Sequence, residues 1–132
     1  MYVDVIGLLK EALREMGNES LMAPGLDAHS TIALDFDGAP SIFVDQIEGD
    51  VWLSGKLTVH DSRWAANAEA ILACVSEQSD FIASRSPGIF KTDTTVDLYA
   101  LISCRFLEDA RGFLHALQGF QQRLHDLEEV LA

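Results

Sequence analysis

The first residues of the chain show helical periodicity. Apolar side chains recur at three- and four-residue intervals, at Tyr2, Val5, Ile6, Leu9, Leu13 and Met16. This spacing predicts an amphipathic helix over residues 1–16, and Gly17 is a typical residue beyond a helix C-terminus. Leu8 and Ala12 extend the apolar stripe to one side. We therefore expect this helix to present more apolar surface than one packing neighbour covers.

The next part of the chain alternates between apolar and polar positions with a period of two. Residues 31–37, 41–47 and 51–59 are predicted strands, separated by the turn sequences Asp37-Gly38 and Glu48-Gly49-Asp50. Three strands in close succession predict an antiparallel meander, with the first strand at a sheet edge. Both faces of the second and third strands carry apolar side chains: Ile42, Val44, Val51 and Leu53 on one face, and Phe43, Ile47 and Trp52 on the other. Such a sheet needs cover on both faces.

Residues 63–78 predict a second helix that is apolar on nearly every side. A domain of this size has too little core to bury all of that surface. A subunit interface between two copies of the chain is the use that we expect. Its candidate residues are Trp64, Ala66, Ala70, Ile71 and Cys74.

The last third of the chain predicts two strands and a helix. Ser86-Pro87-Gly88 separates the β-like residues 80–85 and 89–92, and residues 94–106 form a long β-branched and aromatic run. Residues 108–132 carry a helical stripe at Phe113, Leu117, Phe120, Leu124, Leu127 and Leu131. The prediction is an α+β fold in one domain over residues 1–132, in the order helix, three-stranded antiparallel meander, helix, two strands, helix.

The charge of the chain limits its partners. The formal net charge is −12 at pH 7, with 9 Lys and Arg against 21 Asp and Glu. Recognition of a nucleic acid backbone or an anionic membrane needs clustered cations, so we expect neither partner. Charged residues interrupt the apolar N-terminal residues, which disfavours a signal peptide and predicts a cytoplasmic location. Cys74 and Cys104 lie in apolar runs without CxxC spacing, which indicates buried thiols.

The pattern of chemically reactive residues favours no catalytic or metal site. His29, His60, His115 and His125 lack the spacing that places two imidazoles on one metal ion, and the glycines form no nucleotide-binding motif. We expect neither a metal nor a cofactor, and we do not expect an enzyme. The alternative enzyme reading is a small hydrolase that uses His29 or His115 with nearby acids.

Three segments give the chain a family resemblance. Residues 26–30 (Leu-Asp-Ala-His-Ser) lead into residues 31–35 (Thr-Ile-Ala-Leu-Asp), residues 39–42 (Ala-Pro-Ser-Ile) open the second strand, and an aromatic helix covers residues 113–124. With the length, acidity and element order, these segments resemble class I type III secretion chaperones of the InvB-like or SpaK invasion-effector family. The resemblance spans nearly the whole chain and is weakest over residues 81–95.

The resemblance implies a bacterial cytoplasmic homodimer that wraps an extended N-terminal segment of a secreted effector protein and keeps it competent for export. A second implied partner is the ATPase of the secretion apparatus. The alternative binding function is that of an adaptor, or of a subunit in a hetero-complex, that binds a folded partner.

The bound segment is expected against the first helix and the first strands, where a free strand edge can pair with an added strand. The candidate contacts are Val5, Leu8, Leu9, Ala12, Ile32, Leu34, Phe36, Ile42, Val44 and Trp52.

Overall fold

The computed structural model describes residues 3–17 and 31–132, and confirms the α+β class. The elements are α1 (Val5–Glu15), β1 (Ile32–Phe36), β2 (Ala39–Ile47), β3 (Asp50–Thr58), α2 (Asp61–Ala66), α3 (Ala68–Ser76), β4 (Gly88–Lys91), β5 (Thr95–Leu101) and α4 (Ala110–Leu131). A short 3₁₀ helix, Cys104–Leu107, precedes α4. The motif at residues 26–30, including His29, lies outside the described residues.

All five strands form one antiparallel sheet in the order β1-β2-β3-β5-β4. The meander β1-β2-β3 is confirmed, and β1 lies at a sheet edge as predicted. The two later strands are not a separate layer, because β5 pairs with β3 from Trp52↔Leu101 to Thr58↔Thr95. The pairing satisfies the backbone groups along the second edge of β3.

Three predicted elements differ from the structure. The run over residues 94–106 forms β5 only as far as Leu101, and its last residues lie in the 3₁₀ helix. The β-like residues 80–85 form no strand, and their only described β-bridge joins Ile82 to Ile102. Arg85 has a positive φ of 75°, a conformation that interrupts a strand. The expected helix over residues 63–78 is divided into α2 and α3 at Asn67, whose φ of −113° and ψ of 16° lie outside the helical range. The Asn67 side chain and the Asn67 backbone amide both donate to the Arg63 carbonyl, at 2.8 Å and 3.1 Å. Asn67 therefore ends α2 and precedes the first residue of α3.

Helix α4 forms the main contact layer on one face of the sheet. Its predicted stripe is buried at all six positions, including Phe113, Phe120 and Leu127, which have no exposed surface. Gly55, in the middle of β3, allows this close approach because a Cβ at that position would overlap the Leu124 side chain. Helix α1 packs against α4. The Asp4 side chain accepts a hydrogen bond from the Gly7 amide at 3.0 Å, which caps the start of α1.

Arg123 connects α4 to the end of α3. It is the buried charged residue of the described core, with 6% of its surface exposed. Its guanidinium donates to the Cys74 carbonyl at 2.9 Å and to the Ser79 hydroxyl at 3.4 Å. The first of these bonds satisfies a carbonyl in the last turn of α3, where helices leave acceptors without intrahelical partners. Arg123 therefore holds the end of α3, in addition to the buried Ile71.

Substituting Gly55→Ala should lower the free energy of unfolding by about 1–3 kcal/mol, because the added methyl group overpacks against Leu124. Urea denaturation followed by circular dichroism measures the change. Ser54→Ala, one residue away on the opposite face, is the matched control and should change stability by less than about 1 kcal/mol. Equal effects of the two substitutions would contradict the proposed contact.

Substituting Arg123→Met should expose α3 to local opening, because the Cys74 carbonyl loses its donor. The expected loss is about 1–3 kcal/mol in the free energy that protects the α3 amides. Hydrogen exchange read amide by amide measures it, with Gln122→Met on the exposed side of α4 as control. Unchanged exchange in α3 would show that Arg123 does not hold this helix.

Candidate partner-binding surfaces

The titratable side chains of the described residues form no recognisable catalytic or metal centre. Over residues 3–17 and 31–132, no group of three His, Cys, Asp or Glu side chains could hold a metal ion. His115 lies 3.1 Å from Asp80 and stacks on the Phe106 ring with centroids 5.3 Å apart. The hydrogen bond from His115 holds the pKa of the Asp80 carboxyl below its usual value. Both side chains are more than half exposed, as in a surface ion pair.

The two thiols differ from the sequence prediction. Both cysteines are free; Cys74 is half-buried and Cys104 is exposed. Burial raises the pKa of the Cys74 thiol, and the nearby Arg123 opposes this rise. The prediction that both thiols are buried is wrong for Cys104, because the apolar run that contains it leaves the sheet after Ile102 and begins the 3₁₀ helix.

One face of the sheet is open over the described residues. The helices lie on the other face, where Ile42, Val44, Val51 and Leu53 are buried as the alternation predicts. The open face carries Phe43, Ile47, Trp52, Phe90, Tyr99 and Leu101. Ile47 is 57% exposed, Phe90 60% and Tyr99 39%. The predicted apolar residues on both faces are therefore present.

A shallow depression crosses this open face, which we call the sheet-face groove. It has a volume of about 270 Å³ and is lined by Thr31, Phe43, Asp45, Ser54, Gly55, Lys56, Asp97 and Tyr99. Lys56 Nζ lies 3.9 Å from Asp97 Oδ1, which is longer than a hydrogen bond. Asp97 Oδ1 is shielded from solvent and accepts no hydrogen bond. The groove combines aromatic walls with carboxylates.

Helices α2 and α3 form a second surface, which we call the α2–α3 surface and define as Ala65, Ala66, Ala70, Leu72 and Ala73. All five residues are exposed, and Leu72 is 66% exposed. Ile71 is the single buried residue of the two helices. Small side chains around one large apolar side chain allow another helix to approach closely.

The predicted interface residues are thus divided between surface and core. Ala66 and Ala70 are exposed, and Trp64 and Cys74 are half-buried. Ile71 faces the subunit core from α3 and is not part of the exposed α2–α3 surface. Leu72, which the prediction omitted, is the most exposed large apolar residue of the helix.

The ten predicted contacts with a bound segment are also divided. Seven are buried in the subunit core and cannot touch an external segment without rearrangement: Val5, Leu9, Ala12, Ile32, Leu34, Ile42 and Val44. Leu8, Phe36 and Trp52 are half-buried and remain accessible. Leu8 and Phe36 pack against the core on the helix-covered side, whereas Trp52 lies on the open face next to Tyr99, with ring centroids 6.2 Å apart. Tyr99 and Phe90 were missed in the sequence analysis. The alternation of Tyr99 with the buried residues Leu98 and Ala100 could have assigned Tyr99 to the open face.

In the part of the chain that the structure describes, every helix is too short or too polar to cross a membrane.

The sequence and fold have known relatives. The sequence profile of the Invasion protein B family matches residues 17–93, which include the motif at residues 26–30. The chain is 31% identical to the surface presentation of antigens protein SpaK of Salmonella typhimurium over 125 residues, covering 93% of this chain and 92% of that protein. SpaK of Salmonella typhi has the same identity and coverage.

The crystal structure of YbjN from E. coli is similar in fold, with a TM-score of 0.59 over 93% of this chain and 89% of that chain, at 15% identity. The fold is therefore shared beyond close relatives. Sequence identity and family profile together show that the chain belongs to the Invasion protein B family, the InvB- and SpaK-like family of type III secretion chaperones.

Proposed function

We propose that the protein is a cytoplasmic chaperone that binds an extended N-terminal segment of one or more type III effectors and keeps it competent for secretion. Membership of the Invasion protein B family is the observation that carries this proposal. The ATPase of the secretion apparatus, which would receive the loaded chaperone, is a second proposed partner.

The accessible apolar surface supports capture of an unfolded segment. Phe43, Trp52 and Tyr99 lie on a sheet face that no described helix covers. Exposed apolar patches on a soluble protein are typical of interaction sites. A bound segment would bury these side chains and leave the subunit core unchanged. The net charge of −12 keeps such a protein soluble despite its apolar surface.

The α2–α3 surface supports a homodimer. Its exposed alanines and Leu72 lie on helices that contribute a single buried residue to their own subunit. A two-fold contact places the same patch of both subunits together, so one apolar patch covers another. The two surfaces then have separate functions: α2 and α3 associate, and the sheet receives the segment.

The adaptor alternative and the chaperone proposal differ in the state of the bound partner. A chaperone protects a short effector segment from proteolysis without giving it a globular fold, whereas an adaptor binds a folded domain. Nuclear magnetic resonance of a labelled segment distinguishes the two, because resonances that stay narrowly dispersed outside the protected stretch indicate an unfolded partner. A small hydrolase that uses His29 or His115 remains the enzyme alternative, and its test is loss of activity on substitution of either histidine.

The wild-type protein should be a dimer at micromolar concentration, and Leu72→Glu or Ala70→Glu should give folded monomers. A charge on the α2–α3 surface would be buried without a partner, so the dissociation constant should rise at least about tenfold. Sedimentation equilibrium measures it, and circular dichroism verifies the fold. Ile47→Glu, at a comparably exposed position on the sheet, is the control and should remain dimeric. A wild-type monomer at these concentrations would contradict the homodimer.

Co-expression with N-terminal effector segments should yield a complex that co-purifies. Trp52→Ala should weaken capture by at least about 2 kcal/mol while the protein stays dimeric, because the ring is a large accessible contact on the open face. Calorimetry measures the affinity, with Gln122→Ala on the far side of the molecule as control. Leu8→Asp tests α1 separately, and unchanged affinity there would remove α1 from the binding surface. Failure of every effector segment to co-purify would contradict the chaperone proposal.

A further inference from the structure

The open face of the sheet is acidic as well as apolar. Its described strand residues include four carboxylates, at Asp35, Asp45, Asp50 and Asp97, and one cation, Lys56. An extended segment that binds by apolar contacts alone would leave this charge uncompensated. A segment with basic side chains at suitable positions would compensate it, since complementary charges fix register and exclude other segments.

The shape of the sheet-face groove results from one cross-strand row of side chains. Phe43 pairs with Ser54, and Ser54 pairs with Tyr99, so a small residue lies between two aromatic rings. On its other side Tyr99 pairs with Gly88, and a Cβ at Gly88 would overlap the Tyr99 ring. The ring therefore lies over Gly88. The space above Ser54 is a notch between the two aromatic side chains.

Carboxylates lie at the two ends of the groove. Asp45 is in the row on one side of Ser54, paired with Trp52, and Asp97 is in the row on the other side, paired with Lys56. Alternate residues of a strand are about 6.7 Å apart and neighbouring strands about 4.8 Å apart, which puts the two carboxylates on the order of 16 Å from each other.

Both carboxylates retain acceptor capacity. The Thr31 hydroxyl donates to one oxygen of Asp45. The Asp97 side chain is 33% exposed, while its shielded Oδ1 faces Lys56 Nζ at 3.9 Å. A carboxylate has about four acceptor positions, so the exposed part of each carboxylate can take a further charged donor.

We propose that the sheet-face groove binds an extended segment in which an apolar residue is flanked, two positions away on each side, by Lys or Arg. This inference rests on the proposed chaperone function and specifies the sequence that the chaperone prefers. In an extended chain, residues i−2, i and i+2 point to the same side. The apolar residue enters the notch above Ser54, and the two cations pair with Asp45 and Asp97. The backbone positions of the two basic residues are about 13 Å apart along the segment, and the two carboxylates are about 16 Å apart. The long aliphatic parts of the basic side chains cover the difference by packing on Phe43 and Tyr99.

Selection from a displayed library of random 12-residue segments tests this preference. The immobilised proteins are the wild type, the double variant Asp45→Asn with Asp97→Asn, and the control double variant Glu11→Gln with Glu15→Gln. The control changes the net charge by the same amount at exposed positions of α1, on the helix-covered side. Circular dichroism verifies that all three are folded.

The wild type and the control should enrich the basic-x-apolar-x-basic pattern, and the Asp45/Asp97 variant should lose it. Two outcomes would overturn the groove assignment while leaving the chaperone function intact. In the first, the segments enriched by the wild type lack the pattern. In the second, the Asp45/Asp97 variant still enriches segments with the pattern. Absence of any enriched segment with the wild type would count against both proposals.

A second variant tests the notch independently of charge. Ser54→Leu fills the space between Phe43 and Tyr99 from an accessible position on the open face. It should weaken binding of the most enriched segment at least tenfold in calorimetry, and Thr58→Leu, on the same strand but outside the groove lining, should not. Equal affinity of wild type and Ser54→Leu would overturn the placement of the apolar residue.

Discussion

The close approach of α4 to the centre of the sheet is the contact on which the rest of the structure depends. Gly55 removes the one side chain that would hold the helix away, and Leu124 occupies the space. The buried stripe of α4 then reaches from Phe113 to Leu131 across one face, and α1 and α3 pack beside it. Because the helices of the described chain are placed on this face, the other face of the sheet remains open. The surface that we propose for partner binding is a consequence of this one-sided packing.

Much of the fold follows from local patterns in the sequence. The alternation of Ile42, Phe43 and Val44, with a turn at Asp37-Gly38, is sufficient to predict a strand and its hairpin, since both the period and the turn are encoded in adjacent residues. The helical spacing of α4 is equally local. Asn67 shows where such reasoning fails: the surrounding alanines predict a continuous helix, whereas the backbone of Asn67 leaves the helical range and divides it into α2 and α3. Residues 80–85 fail for another reason, because a β-like composition forms no strand where the backbone turns at Arg85.

The sequence predicts that the chain has more apolar residues than its core can bury. It does not predict which of these side chains lie on the surface. Periodicity distinguishes the two faces of an element without saying which face a second element covers. Ile71 and Leu72 are adjacent and both apolar, yet the first is buried in the core and the second is exposed, and that difference depends on which side of α3 faces the core. Val5 and Leu9 were assigned to a partner, although the stripe that they share with Leu13 is buried within the subunit. Predicting that Asp45 and Asp97 lie at the two ends of the groove requires the cross-strand register, which cannot be derived from a single sequence.

The attachment of α3 through Arg123 has a thermodynamic consequence. A helix with one buried side chain and one hydrogen bond from Arg123 opens at a lower cost than the sheet and α4. Among the described elements, α3 is therefore one of the less stable, together with α2, which buries no residue. The same helix carries the surface proposed for self-association. Any copy that docks there binds the closed form of α3 and not the open one, and so acts as a stabilising ligand. Under that proposal the subunit is stabilised by its own abundance: its melting temperature rises with protein concentration, and dilution loosens α3 before it affects the core.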